Sequence, residues 1–158
     1  MKVKLLFLIL LIVPGAFASD FVLAKNTKCK IFLKPSQVNL KVNWHGRCEN
    51  GFADGLGVIR YMSGSKVDST YYGQLKKAYW DLGVYESADG FLAGQFKNNE
   101  QISVKDANGI EDRNVTIHAF ESASKAAIQL SQEFEKLGNK NSAKYYKIEA
   151  EKLSGQMD

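Results

Sequence analysis

The chain has 158 residues, of which 45% are hydrophobic and 24% are charged, a composition typical of a folded globular protein and not of a disordered or fibrous one. Its formal net charge at pH 7 is +4, from 21 lysines and arginines against 17 acidic residues. The basic residues are scattered, and this small excess argues against a concentrated basic surface of the kind that binds nucleic acid.

The amino terminus has the three parts of a secretory signal peptide. Lys2 and Lys4 precede the apolar run "LLFLILLIV", and small residues follow at Ala16 and Ala18. The apolar run is too short to form a transmembrane helix. We therefore predict a leader over residues 1–18 that is cleaved after Ala18. The mature protein would then be periplasmic or secreted, with 19 basic residues against 17 acidic ones.

The two cysteines of the chain, Cys29 and Cys48, both lie after the predicted leader. An even pair of cysteines in an exported chain most simply forms one disulfide. A metal site is the alternative, because His45 lies close to Cys48, but no second pair of cysteines or histidines completes a tetrahedral set. We therefore predict a Cys29–Cys48 disulfide, no metal and no cofactor.

Two short strands are predicted on either side of Pro35, in the stretch "CKIFLKPSQVNLKVNW". Apolar residues alternate with polar ones at Ile31 and Leu33 before the proline, and the alternation continues to Val42 after it. We expect these strands to cap the open edge of the first hairpin of the sheet that follows, held in place by the disulfide.

A glycine-rich pattern begins at Trp44, in the stretch "WHGRCENGFADGLG". Glycine recurs at Gly46, Gly51, Gly55 and Gly57, and alternating apolar residues follow. Glycine permits positive φ angles and lets an aromatic ring lie flat on the backbone. The pattern therefore predicts a β-hairpin with one buried face.

The glycine pattern returns twice, with openings roughly 20–30 residues apart, within the range of short repeat arrays. The second copy opens at Tyr71 and Gly73, and the third near Leu92 and Gly94. These residues resemble the MORN repeat, whose pattern is Tyr-x-Gly-x-Phe-x-x-Gly-x-x-x-Gly-x-Gly-x-Tyr-x-Tyr. The resemblance covers residues 44–96 and is strongest in the first copy.

The MORN resemblance implies a meander of antiparallel β-hairpins in a twisted sheet, each unit burying its aromatic residues on its neighbour. We assign residues 19–100 to this sheet. Residues 101–118, with a turn at Asn108-Gly109, are expected to form a bridging segment.

From residue 119 to residue 158 the apolar period becomes helical. Phe120 and Leu130 lie on one apolar stripe, Gly138 ends this helix, and a second helix is expected from about Asn141. The overall fold class is therefore predicted as α+β, a β-hairpin meander followed by an antiparallel helical hairpin.

The helical hairpin resembles a single tetratricopeptide repeat. The matching residues are Leu130, Ser131 and Phe134 in the first helix, with Ala143 and Ala150 in the second. One such unit cannot bury both of its faces, so the hairpin must pack on the sheet or on a partner. A stabilising carboxy-terminal cap and a dedicated docking surface both remain open.

No combination of residues predicts catalysis. The two histidines, His45 and His118, lack a recognisable serine or cysteine partner, and Asp54 is most simply a turn residue beside Gly55. The sequence Ser-Gly-Ser at 63–65 is a turn and not a nucleophile elbow. We therefore predict that the protein is not an enzyme.

The predicted sheet is rich in aromatic residues, and strand alternation turns about half of them away from the core. Tyr72, Tyr79 and Trp80 lie off the structural positions of the MORN pattern, in or near the stretch "KKAYWD", which combines rings with charge as protein interfaces do. His45 is expected to point outward. These four residues are the predicted binding residues, although packing between repeats is the alternative role for aromatic residues of the sheet.

Both resemblances imply protein interaction, and small exported bacterial proteins with such repeats resemble immunity proteins or envelope scaffolds. We therefore predict a non-enzymatic binding protein whose partner is another protein, such as a secreted effector that attacks the envelope, and not nucleic acid. The alternative is a module that binds envelope lipid or cell wall, although the weak mature charge disfavours electrostatic attachment to a membrane.

Overall fold

The computed structural model describes residues 21–157, so the predicted leader over residues 1–18 lies outside the described range. The described chain forms a mostly antiparallel sheet followed by two helices, which confirms the predicted α+β class. The strands are β1 (Phe21–Leu23), β2 (Lys30–Phe32), β3 (Lys41–Glu49), β4 (Phe52–Ser63), β5 (Lys66–Lys76), β6 (Tyr79–Ser87), β7 (Gly90–Lys97) and β8 (Glu100–Gln101), and the helices are α1 (Arg113–Lys136) and α2 (Lys140–Ser154).

The strands from β3 to β8 form a meander, in which each strand pairs antiparallel with the next. Strands β1 and β2 pair with each other, and β2 joins the meander through one parallel pairing, Lys30 with Phe52. Because a meander reverses direction at every turn, alternate turns lie at the same end of the sheet. We call the end that carries the β3–β4, β5–β6 and β7–β8 turns the turn end; these turns are Asn50–Gly51, Lys77–Ala78 and Asn98–Asn99.

The N-terminal segment, residues 21–34, crosses the turn end and is hydrogen-bonded to all three turns there. The Lys30 amide donates to the Gly51 carbonyl at 2.8 Å. The Phe32 amide donates to the Ala78 carbonyl at 3.1 Å, and the Asn99 side-chain amide donates to the Phe32 carbonyl at 3.2 Å. The segment therefore contacts three hairpins, where the sequence predicted a cap on the first one only.

The predicted disulfide joins Cys29 of this segment to Cys48 on β3. Cys29 is buried in the core, whereas Cys48 is exposed. The bond therefore ties the N-terminal segment to the first hairpin of the meander.

The polypeptide after Pro35 departs from the predicted second strand. Pro35–Gln37 forms one turn of 3-10 helix, which suits a proline at its first position because the ring fixes φ and the missing amide needs no partner there. Val38 is exposed, and β3 begins only at Lys41. The apolar alternation thus marked the strand correctly only from Val42 onward.

Both faces of the sheet are buried. One face, here the aromatic face, carries large rings, and Ile31 and Leu33 of the N-terminal segment pack against them. The other, here the helix face, carries Val58, Tyr72 and Val84 and is covered by the helices. The buried rings of the aromatic face are Trp44, Tyr61, Tyr71, Trp80 and Phe96, and the partly buried Tyr85 packs against them.

Five glycines form a row across the aromatic face, one on each strand from β3 to β7. The Trp44 ring lies directly on the first two of them, since a Cβ atom added at either glycine would overlap the ring. This explains Gly46 and Gly57, because flat packing of a ring on the backbone requires residues without side chains. Gly51 and Gly55 have a different reason, since their φ angles are +81° and +79°. In register, the row is Gly46, Gly57, Gly73, Gly83 and Gly94.

Gly57→Ala is expected to lower the free energy of unfolding by about 2 kcal/mol, within the range for an overpacked core. The new methyl group would overlap the His45 carbonyl as well as the Trp44 ring, and that carbonyl belongs to a paired strand. Urea unfolding followed by circular dichroism measures the effect. Gly155→Ala is the matched control, because its Cβ would meet the Glu151 carbonyl at an ordinary 3.5 Å. Equal stabilities of the two variants would contradict the role of the glycine row.

Helix α1 begins at Arg113, more than one turn earlier than the predicted boundary at residue 119. Asp112 caps the helix, and its carboxylate accepts a hydrogen bond from the Asn114 amide at 2.9 Å. Three of the first four residues of α1, Arg113, Asn114 and Thr116, are polar, so the apolar stripe did not mark the start of the helix. The predicted turn at Asn108-Gly109 is present, with Gly109 at a φ of +77°.

Helix α2 packs antiparallel on α1, and the pair covers the face of the sheet and not its end. Two hydroxyls on α1 join the helices: Ser124 donates to the Ala150 carbonyl at 3.0 Å, and Ser131 donates to the Ala143 carbonyl at 2.7 Å. The sequence left open whether the helical hairpin packs on the sheet or on a partner, and in the structure it packs on the sheet. Within residues 21–157, neither helix combines the length and the apolar character of a membrane span.

Side-chain amides are hydrogen-bonded to outward backbone groups of β3 and β7, the two outermost long strands of the meander. At β3, Asn26 accepts a hydrogen bond from the Trp44 amide at 2.8 Å and donates one to the Trp44 carbonyl at 2.7 Å. At β7, the Gln101 side chain donates to the Ala93 carbonyl at 2.8 Å. Both edges are thus partly closed by the protein itself.

Candidate functional site

Trp80 is a core residue, so its prediction as a surface binding residue was wrong. Its side chain is 1% exposed and stacks between Tyr71 and Tyr85, with ring centroids 4.8 Å away on each side. The indole N–H donates a hydrogen bond to the Tyr61 hydroxyl at 3.0 Å. Trp80 therefore anchors the aromatic face.

A β-bulge explains why strand alternation misplaced Trp80. Between the pairs Gly73–Gly83 and Leu75–Trp80, strand β6 has two residues where β5 has one. The extra residue reverses the alternation of side chains, because successive residues of a strand point to opposite faces. The tryptophan consequently turns into the core.

Tyr72 points away from the aromatic face, as alternation predicts, but it is buried and not exposed to solvent. The helices cover it, and its ring belongs to a cluster with Leu130 and Tyr146. Burial raises the pKa of its hydroxyl well above the ordinary value, so the side chain stays neutral. The prediction of Tyr72 as a surface residue was wrong because it did not place the helical hairpin on this face.

His45 lies on the helix face, partly exposed beside α1, with its ring centroid 5.7 Å from that of Phe134. Burial lowers the pKa of His45, and the Arg60 guanidinium lowers it further. The Glu133 carboxylate raises the pKa, but by less. The imidazole is therefore neutral at pH 7. Since Tyr79 lies at the turn end, the structure does not bring the four predicted residues together.

Tyr79 is partly exposed, in a group of four rings at the turn end. Phe21 contacts each of the other three edge-on, with ring centroids 5.7–5.8 Å apart. The rings of Phe32 and Tyr79 lie 4.6 Å apart. We call this surface the four-ring cluster; its members, all partly exposed, are Phe21, Phe32, Phe52 and Tyr79.

Three exposed lysines border the four-ring cluster: Lys30, Lys76 and Lys77. The Lys30 ammonium lies 5.4 Å from the centre of the Phe52 ring, a cation–π arrangement. No carboxylate in the described part of the chain comes within 4.0 Å of any of these three ammonium groups. The surface around the rings is therefore positively charged.

A cleft of about 480 Å³ adjoins the four-ring cluster. Its acidic residues are already engaged within the protein, because Arg47 bridges Glu49 at 3.4 Å and Asp54 at 3.5 Å. The Asp54 carboxylate also accepts a hydrogen bond from the Lys77 backbone amide at 2.9 Å. The neighbouring ammonium groups therefore remain available to a partner. The lining residues are Glu49, Asn50, Phe52, Asp54, Lys76 and Lys77.

No prediction from the sequence named Phe21, Phe32 or Phe52 as a surface residue. One signal was present, because Asn50-Gly51 is a tight-turn dipeptide that puts Phe52 at the end of a hairpin. The contacts of Phe21 with the other rings had no such signal. They depend on the N-terminal segment crossing the turn end, which no local pattern shows.

The second histidine, His118, is exposed on α1 and lies 3.2 Å from the Glu121 carboxylate. Over residues 21–157, no group of three or more histidine, cysteine, aspartate and glutamate side chains is placed to hold a metal ion. The absence of enzymatic activity stays a prediction.

No family model, no curated protein and no solved structure matches this chain. The resemblances to the MORN and tetratricopeptide repeats therefore stay predictions.

Proposed function

We propose that this chain is a non-enzymatic, exported binding protein whose four-ring cluster recognises another protein. The observation that carries the proposal is the cluster itself, because aromatic rings left partly exposed in mutual contact are typical of interaction sites. Phenylalanine and tyrosine supply large apolar contact areas with few rotatable bonds. The three bordering lysines favour a partner whose contact surface has an acidic rim.

The predicted leader supports a partner outside the cytoplasm, and the two repeat resemblances support a protein partner. A secreted effector that attacks the envelope fits both. In this proposal the protein is an immunity protein, which neutralises the effector by covering its active surface.

Tyr79→Ala is expected to abolish capture of the partner. In the experiment, the full chain with a carboxy-terminal tag is produced in its own host, recovered from the envelope fraction and washed at high salt. We expect one stoichiometric protein to stay with the wild type, because apolar contacts survive salt whereas exposed ion pairs weaken. Loss of one aromatic residue of the four-ring cluster should weaken binding by about 2 kcal/mol or more.

Ile148→Ala is the matched control, because Ile148 is an exposed apolar residue on α2 and does not belong to the four-ring cluster. This variant should retain the same protein as the wild type. Retention of that protein by Tyr79→Ala, or retention of phospholipid or cell-wall fragments in place of a protein, would contradict the proposal.

A further inference from the structure

A second cleft, of about 380 Å³, lies between the sheet and the start of α2. Among the described residues that line it, Arg60 carries the only charge. Three other clefts lie between the two helices, beside Phe52 and near His118. Each of these three is lined by both basic and acidic residues. The lining residues of the second cleft are Arg60, Val67, Asn141, Ser142, Tyr145 and Tyr146.

Arg60 is half-buried on β4. Within residues 21–157, no carboxylate lies within 4.0 Å of its guanidinium, whereas Arg47 pairs with both Glu49 and Asp54. A guanidinium presents its N–H donors in a planar fork that matches the two oxygens of a carboxylate. The cleft therefore contains a guanidinium that forms no ion pair with the described chain and has the geometry to bind an anion.

The charge of Arg60 acts on two neighbouring side chains. Burial raises the pKa of Tyr146 to about 12, and the Arg60 guanidinium counters part of that rise, whereas Tyr145 and the Glu149 carboxylate add to it. The same guanidinium adds to the lowering of the His45 pKa by burial. Both effects have the sign expected from a positive charge that favours anions nearby.

The remaining walls suit a ligand with a small apolar body. Val67 and the rings of Tyr145 and Tyr146 provide apolar surface, and Ser142 and Asn141 provide neutral hydrogen-bonding groups. The volume falls in the range of sites for small ligands. We propose that this cleft binds the carboxylate of a free organic acid or of a peptide carboxyl terminus, with Arg60 as its ion-pairing residue.

This carboxylate site goes beyond the proposed function, since it is separate from the four-ring cluster. Val67 pairs with Met62 beside the β4–β5 turn, which lies at the end of the sheet opposite the turn end. Either site can therefore fail its test without affecting the other.

The test is a nuclear magnetic resonance titration of the full mature chain with N-acetyl-leucine and, separately, with its uncharged amide. We expect saturable shifts of the backbone signals of Ser142, Tyr145 and Tyr146 with the acid. The amide should bind about tenfold more weakly or worse, because it cannot form the charged hydrogen bonds. Arg60→Gln should cause the same loss for the acid.

Two further variants control this titration. Arg47→Gln removes an arginine at the turn end and should leave binding unchanged, and Arg60→Lys should keep part of the affinity through its charge. Equal binding of the acid and the amide, shifts elsewhere in the protein, or no saturable shift would overturn the proposal. If Arg60→Gln fails to fold, the comparison of acid and amide on the wild type decides.

A pair of probes distinguishes the two sources of the carboxylate. Tighter binding of acetyl-Ala-Ala-Leu than of isovalerate would identify a peptide carboxyl terminus as the ligand. Equal or tighter binding of isovalerate would identify a free organic acid. Either result supports the site, and failure of both probes overturns it.

Discussion

Replacing Trp80 by alanine is expected to lower the free energy of unfolding by about 3–5 kcal/mol, the range for deleting a buried tryptophan. The indole is stacked on two tyrosine rings and donates a hydrogen bond to Tyr61, so its removal leaves a cavity and an unpaired hydroxyl. Urea unfolding followed by far-ultraviolet circular dichroism measures the loss. A loss this large would unfold an appreciable part of a marginally stable protein.

The neighbouring residue gives the control for this prediction. Tyr79→Ala should cost only about 1 kcal/mol, because the side chain is partly exposed and its deletion opens no closed cavity. Substitutions at the two adjacent aromatic residues are thus expected to affect different properties. Trp80→Ala should reduce stability, and Tyr79→Ala should reduce binding. A Trp80→Ala protein as stable as the wild type would overturn the assignment of this tryptophan to the core.

Replacing both cysteines by alanine is expected to cost about 3 kcal/mol of stability, because the disulfide closes a loop with a sequence separation of 19. The effect should also be local. Without the bond, the N-terminal segment is held by its backbone hydrogen bonds and by packing of Ile31 and Leu33. Amide exchange at Lys30 and Phe32 should therefore become faster than in the wild type, while the centre of the meander stays protected.

This prediction has a direct consequence for the four-ring cluster, since Phe21 and Phe32 belong to the segment that the disulfide ties down. The double variant should therefore bind its partner less well even where it is folded. Treating the wild type with a reducing agent should reproduce both effects. Unchanged exchange at Lys30 and Phe32 after reduction would contradict them.

Features that depend on local sequence patterns could be predicted. The glycines behind Trp44 predicted a hairpin in which a ring lies on the backbone. The spacing of Phe120 and Leu130 predicted a helix. The cysteine pair followed from its number and from the predicted leader. Each of these inferences needed only a short stretch of chain.

Features that depend on contacts between distant segments could not be predicted. Trp80 was misplaced because one bulge in β6 reverses the alternation, and Tyr72 because the helices lie on its face. The four-ring cluster joins Phe21 to Tyr79 through a segment that crosses the ends of three hairpins. Of the four predicted binding residues, only Tyr79 therefore belongs to the candidate surface.

The amides of Asn26 and Gln101 have a consequence for how this architecture can grow. Hairpin arrays lengthen by adding strands at a free edge, and the same free edges allow separate molecules to associate into aggregates. In this protein the outward groups of Trp44 and Ala93 are already hydrogen-bonded to side chains of the same molecule. An additional hairpin, or a neighbouring molecule, would have to displace those bonds first. Two polar side chains thereby oppose the addition of strands at these two positions.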